Sequence, residues 1–174
     1  MIRKAAEKDI RSIVKIYDAI LKNEEAGRSS IGWVRGIYPT EETAREALEE
    51  KALFVYEKDG RIVAVAKIDQ EQTPEYAECS WKYKAPDSKV MVLHTLAVDP
   101  AYARMGCGRK FVDFFEQYAL ENKCPYLRMD TNRTNTVAWE MYKKLGYREA
   151  GVIQCVFEAE RAIHLVCFEK KLPG

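Results

Sequence analysis

The sequence predicts an α/β fold, a mixed sheet with helices on both faces, built by a single domain spanning residues 1–174. Two observations carry this reading. Segments with the period of a strand and segments with the period of a helix follow one another in the order β-α-α-β-β-β-α-β-α-β-β, which suits helices layered on a sheet. Val90 to Val98 is almost continuously apolar, as expected of a strand covered on both faces. A chain of 174 residues with 47% apolar residues is long enough to bury one such core.

Each element has its own signal. Residues 2–5 read as a short strand, and Glu7 to about Leu21 carries apolar residues at 10, 13, 14, 17, 20 and 21, a helical period. Residues 22–38 are polar and glycine-bearing and end in the cluster Trp33, Ile37 and Tyr38. Pro39-Thr40 caps a second helix with Ala44, Ala47 and Leu48 on one face. Leu53–Tyr56 and Arg61–Ile68 flank Asp59-Gly60, a hairpin turn signal. Residues 70–89 are polar, with prolines at 74 and 86 and aromatic residues at 76, 81 and 83, and read as a long hairpin connection or an irregular insert. After the apolar strand, a helix from Gly106 to about Asn122 buries Phe111, Phe114 or Phe115, Tyr118 and Ala119. A strand over Tyr126–Thr131, a helix over 136–145 and a closing strand pair over 147–157 and 163–170 complete the chain.

Composition removes several function classes. The 28 basic and 27 acidic residues nearly cancel, without the basic stripe of a nucleic-acid binder. Apolar runs fall short of the ~20 residues needed to cross a bilayer. The start, Met-Ile-Arg-Lys-Ala, lacks the apolar core of a secretory signal, so a cytoplasmic protein is expected. Five scattered cysteines (79, 107, 124, 155 and 167) without a C-x-x-C pair, and only two histidines, read as free thiols with no metal site.

The most informative stretch is Leu93-His-Thr-Leu-Ala-Val-Asp-Pro-Ala-Tyr-Ala-Arg-Met-Gly-Cys-Gly-Arg109. A strand ends at Asp99-Pro100, and a glycine loop opens directly into a helix whose first turn presents unpaired N–H groups and the positive end of its dipole. Gly106 and Gly108 offer backbone freedom and leave amides uncovered. Such a loop can seat a pyrophosphate. It is not a Walker loop, since no Gly-Lys-Ser/Thr follows, and it is not GxGxxG. Cys107, between Arg104 and Arg109, would need a lowered pKa to act as a nucleophile.

This loop resembles the acyl-CoA loop of the GCN5-related N-acetyltransferases (GNAT), Q/R-x-x-G-x-G/A after a strand. Here the six positions read Ala103-Arg104-Met105-Gly106-Cys107-Gly108, with both glycines in place, alanine in the leading position and the arginine one step later. Asn135-Thr-Val-Ala138-Trp-Glu-Met-Tyr142-Lys-Lys144-Leu-Gly146-Tyr147 is similar to the second signature of that family, N-x-x-A-x-x-x-Y-x-K-x-G-F/Y. The two stand in the family's order with one strand between them, and the likeness extends from about residue 2 to residue 170.

The resemblance implies a mostly antiparallel twisted sheet with a splayed central strand pair, acetyl-CoA as cosubstrate, and direct acetyl transfer to a primary amine. The backbone of Arg104, Met105, Gly106, Cys107, Gly108 and Arg109 would hold the pyrophosphate, and Leu96, Ala97 and Val98 would pair with the pantetheine arm. Tyr142 corresponds to the general acid for the leaving thiolate, and a packed core residue is its alternative reading. Asn135 would bond the pantetheine or cap its helix. His94, in a His-x-Leu-Ala-Val run also found in arylalkylamine acetyltransferases, is the candidate base, with a backbone-bonded core histidine as the alternative. Alternation puts it on the face of Val92, Leu96 and Val98. Val92 occupies the position that often carries a base, and Glu78 and Asp130 are fallbacks. Trp33, Tyr38 and Trp81 are candidate pocket walls; Glu24 and Glu25 could attract a cationic amine; His164 is expected to pack in its strand. The partner expected is a small-molecule or peptide amine, a homodimer is compatible, and neither nucleic acid nor membrane is expected. The competing class is a non-catalytic acyl-CoA-binding or sensing module on the same fold, which Ala103 favours and Tyr142 disfavours.

Overall fold

The computed structural model describes residues 1–157 and 161–174. Its strands and helices are β1 (Ile2–Lys4), α1 (Ile10–Glu25), α2 (Glu41–Glu49), β2 (Leu53–Lys58), β3 (Arg61–Asp69), β4 (Val90–Val98), α3 (Cys107–Glu121), β5 (Tyr126–Asn132), α4 (Thr136–Lys144), β6 (Arg148–Phe157) and β7 (Arg161–Lys171). The strand order is β1-β2-β3-β4-β5-β7-β6. The β1–β2, β2–β3, β5–β7 and β6–β7 pairs are antiparallel, and β4–β5 is parallel. Among the described residues no helix is long and apolar enough to cross a membrane.

The chain divides into two compact units. The first comprises residues 1–29, 33–68 and 94–115. Its hairpin turns at Asp59 and Gly60 with φ of 50° and 75°, the left-handed pair that a two-residue turn between twisted strands requires. Leu53, Phe54, Val55 and Tyr56 on β2 are all buried, so both of its faces are covered. Phe54 meets Phe114 of α3 at 5.5 Å, and α2 packs on β2. Thr40 caps α2 by accepting from the Thr43 amide at 3.4 Å. Helix α1 buries Ile10, Ile13, Ile16, Tyr17, Ile20 and Leu21, its predicted stripe apart from Val14, and runs one turn further than the apolar pattern indicates.

A buried ion pair locks the start of this unit. Asp9 is 5% exposed and receives a two-pronged guanidinium from Arg3 at 2.8 and 3.1 Å, plus the Ala6 amide at 2.8 Å. The hydrogen bonds from Arg3, opposed by burial, hold the Asp9 carboxyl below its ordinary value of 3.8. A depressed folded-state pKa means that the stabilisation is complete above the unfolded value and fades as pH falls through the folded one. Asp9→Asn is therefore expected to cost about 1–3 kcal/mol near neutrality. In acid titrations of unfolding, the gap to the parent should close below pH 3.8.

The second unit comprises residues 30–32, 69–93 and 116–174. The register Met129↔Phe168 places both side chains on one face of β5 and β7, where Tyr142 of α4 packs on Phe168 at 5.4 Å and on Tyr147 at 5.9 Å. The opposite face, carrying Val90, Val92, Ala150, Ile153 and Cys167, is covered by residues 70–89 through Tyr76, Cys79, Trp81 and Ala85. The segment expected as a connection or insert is thus a cover made of two short 3-10 turns, Pro74–Glu78 and Asp87–Lys89. Here the second layer on the sheet is this segment. His164, expected to pack, is exposed. On β6 and β7 only alternate positions near the strand ends are covered, and it falls on an uncovered one.

Candidate functional site

Strand β4 is where the fold departs from regular pairing. The parallel register with β5 runs from Val90↔Tyr126 to Leu93↔Met129 and stops there. Two residues on, Thr95 has φ 51°, a left-handed backbone that a β-branched residue rarely adopts. One such residue inside a strand bends it and interrupts alternation. The face-sharing expected for His94 with Leu96 and Val98 therefore does not carry across Thr95, and the residue buried beyond it is Ala97, at 1% exposure. His94, Leu96 and Val98 are half-buried. The bent segment is held from the side by the hydrogen bond between the Tyr38 hydroxyl and Thr95 Oγ1. Trp33 stands edge-on to Tyr38 at 6.1 Å and to Tyr17 at 6.5 Å. The structure thus joins the predicted aromatic residues Trp33 and Tyr38 to the irregular point of β4. Burial pushes the Tyr17 phenol up, with a smaller contribution from Tyr38.

The loop that follows β4 leads directly into α3. The Asp99 amide donates to Val63 O at 2.8 Å, and the Asp99 carboxylate caps the short turn Pro100–Tyr102 by accepting from Ala101 N at 2.9 Å. Arg104 then takes φ 61° and Gly106 φ 77°, and α3 begins at Cys107. The first backbone amide after Ala103 with an intrachain acceptor is that of Lys110, to Gly106 O at 3.0 Å. Among the described residues the N–H groups of residues 104–109 have no acceptor within the protein. Six consecutive open amides at a helix start favour a pyrophosphate. Exposed Arg104, Arg109 and Lys110 add positive charge.

Two expectations for the loop change. Gly106 needs its left-handed backbone; Gly108 lies in the first turn of α3 and is absent from the positive-φ glycines, so only its small size serves the site. Cys107 is 2% exposed and its side chain is packed inward, which leaves its amide as its contribution. A Cβ at Gly106 would meet nothing within 4 Å, so a substitution strains the backbone without a clash. Gly106→Val is expected to leave the protein folded, at a strain of ~1–2 kcal/mol. Its loop displacement should weaken acetyl-CoA binding by about tenfold or more in calorimetry, a loss of ~1.4 kcal/mol.

The remaining predicted residues belong to the second unit. Asn135 caps α4 by accepting from Ala138 N at 3.3 Å. Tyr142 is 4% exposed, and its hydroxyl has no hydrogen-bond partner among the described residues; it is also not one of the fully buried unsatisfied atoms, so it keeps access to solvent. Burial, and secondarily the charge of Asp130, push its phenol up. Asp130 accepts from the Tyr76 hydroxyl at 2.6 Å, which engages one oxygen of a fallback base. Burial first, then Asp130, also raise the Tyr76 phenol well above its ordinary value. Trp81 is a wall of a cavity shared with Cys79, Ser80 and Arg128: its Nε1 donates to Tyr76 O at 2.7 Å, and the Arg128 guanidinium lies over its ring at 4.1 Å. Glu25 is paired with Arg35 at 2.7 Å and Glu24 accepts from Ser29 at 3.0 Å, which ties both into local structure.

Two contributors escaped the sequence reading, the left-handed Arg104 and the Tyr38–Thr95 bond, because neither leaves a local signal. Arg128 escaped as well, since an arginine between Leu127 and Met129 reads as the solvent side of a strand.

The profile of the Acetyltransferase (GNAT) family matches residues 15–147. S-(2-succino)cysteine N-acetyltransferase of Bacillus subtilis is 27% identical over 106 residues, 60% of this chain and 59% of that protein. The match therefore spans less than two thirds of that relative's length. A GNAT acetyltransferase structure from Streptococcus agalactiae superposes with a TM-score of 0.78 at 20% identity, covering all of this chain and 96% of that one. An acetyltransferase of Salmonella typhimurium solved with its cofactor acetyl-CoA gives 0.68 at 17% identity, covering 99% and 94%.

Proposed function

Because the chain belongs to the acetyltransferase (GNAT) family, we propose that it transfers an acetyl group from acetyl-CoA directly to a primary amine, as one catalytic domain. The run of open amides at residues 104–109 carries this reading, since it supplies the pyrophosphate seat that the reaction needs. The unpaired edge of β4 over Leu96–Val98 is the candidate partner for the pantetheine amides, and Asn135 remains a second polar contact for it. S-(2-succino)cysteine, acted on by the Bacillus subtilis relative, is a first acceptor to try.

The transfer forms a C–N bond and breaks a C–S bond; the nitrogen loses a proton and the sulfur gains one. Tyr142 is the candidate donor to sulfur. Its raised phenol stays protonated throughout the neutral range, and so always offers its hydrogen. Against a thiol near its ordinary ~8.5, full proton transfer from a phenol above 10 is uphill as an isolated step. The phenol therefore acts first by hydrogen-bonding the forming thiolate, and its proton moves in concert with loss of the amine proton. His94 is the candidate to receive that amine proton, directly or through water. The irregular β4 beside it and the Trp33–Tyr38 cluster support an acceptor site on that side of the strand.

The test is thiol release from acetyl-CoA with a panel of amines, with product mass as a second readout. Acetylated product above the rate of hydrolysis is the expected result. Tight acetyl-CoA binding without any acetylated amine would favour a sensing module. In the same assay, His94→Ala should flatten the acidic limb of the pH–rate profile; an unchanged limb would return His94 to a structural role.

A further inference from the structure

Arg128, at the centre of β5, is 7% exposed, yet it makes no ion pair with a carboxylate among the described residues. Its guanidinium donates to Gln72 Oε1 at 2.5 Å and to Tyr83 O at 3.1 Å, both neutral acceptors, and lies over the Trp81 ring at 4.1 Å. Glu169, its register partner on β7, is fully engaged elsewhere: it accepts from Lys82 N and Tyr83 N at 2.9 Å each and from Arg148 at 2.6 Å. Glu169 and Asp87 act on Arg128 only as charges at longer range, and burial draws the guanidinium below its ordinary pKa without discharging it. A buried cation with no anion is costly to keep, which argues for a ligand that supplies the missing charge.

The space in front of Arg128 fits that need. A cavity of about 620 Å³ is lined by Ala77, Cys79, Ser80, Trp81, Lys84, Ala85 and Arg128. Two cations and no acid line it. Arg128 uses two of five N–H donors within the protein, and a planar guanidinium matches a carboxylate through two parallel bonds. The cavity and Tyr142 share this unit: Arg128 and Asp130 are on one face of β5, Tyr142 packs on Phe168 at the other, and the charge of Asp130 is felt there.

We propose that this cavity holds a carboxylate of the amine acceptor through Arg128 and Lys84, so that the substrate is an amino acid or another amine bearing a carboxylate. The proposal rests on the acetyltransferase reading and narrows it to a substrate class. Residues 70–89, anchored by Glu169, then form the wall that selects the acid.

The test has an arm without turnover and an arm with it. Titration of the protein with succinate, followed by amide shifts, should perturb residues 79–85 and Arg128; Lys84→Ala, an exposed position, should weaken that binding at least threefold, and Arg128→Gln should abolish it. Arg128→Lys, which keeps charge and loses the fork, covers the case in which glutamine fails to fold. In the turnover arm, an S-alkyl cysteine is compared with the matching S-alkyl cysteamine, which lacks only the carboxylate. The acid should be favoured at least tenfold in kcat/KM, and Lys84→Ala should narrow that ratio through KM of the acid. Equal turnover of the pair, or no succinate binding to the folded protein, overturns the proposal while the acetyltransferase reading stands. Succinate binding with no amine acetylated at all overturns that reading and the acceptor assignment with it.

Discussion

Replacing Tyr142 with phenylalanine is expected to lower kcat by ~10²–10⁴-fold, the range of a lost acid–base group. The ring packs on Phe168 and Tyr147, and phenylalanine preserves those contacts. The hydroxyl makes no bond among the described residues, so its removal leaves none of their buried groups unsatisfied. Stability should stay within about 0.5 kcal/mol of the parent, and acetyl-CoA affinity should be largely kept. A purely structural tyrosine would leave kcat unchanged. Steady-state kinetics beside thermal unfolding separates the two outcomes.

The second large effect concerns stability. Glu169 is 1% exposed and ties residues 82 and 83 to β7 through its carboxylate. Glu169→Ala strands two amide donors and releases Arg148, a loss of about 3–5 kcal/mol for a broken buried charge network. For a chain of this length that corresponds to a fall in Tm of roughly 10 °C. Amide exchange should rise first in residues 80–85, since those lose their anchor. A Tm within 2–3 °C of the parent, ~1 kcal/mol on this scale, would show that the cover is held by its apolar contacts alone. Glu169→Gln, which retains an acceptor oxygen, should fall between the two.

Those residues also mark the limit of what the sequence made legible. Elements with local signals were readable to within a few residues: the α1 stripe, the Asp59-Gly60 turn, the Thr40 cap and the apolar β4. The glycine loop was readable as the start of a helix with open amides, because a helix start needs no tertiary context to expose them. Thr95 was not, since nothing in Leu93-His-Thr-Leu asks a β-branched residue to adopt φ 51°; the surrounding packing and the Tyr38 hydroxyl impose it. Alternation arguments through His94 fail for the same reason. Residues 70–89 have no period, so their role as the cover over Arg128 and Cys167 arises only from contacts distant in sequence. Arg128 and Glu169 each read as unremarkable singly, and acquire meaning only beside Trp81, the pocket-wall candidate, and the segment that carries it.

The proposal that the amides of residues 104–109 hold a pyrophosphate, and that the Tyr142 hydroxyl serves the departing sulfur, is tested most directly by a crystal structure with CoA bound. The expected result is the pyrophosphate oxygens on those amides, the pantetheine paired with the β4 backbone at Leu96–Val98, and the sulfur within hydrogen-bonding reach of the Tyr142 hydroxyl and open to an incoming amine. A sulfur sealed in apolar packing with Tyr142 turned away would contradict the enzymatic claim, and pyrophosphate bound elsewhere would contradict the whole account.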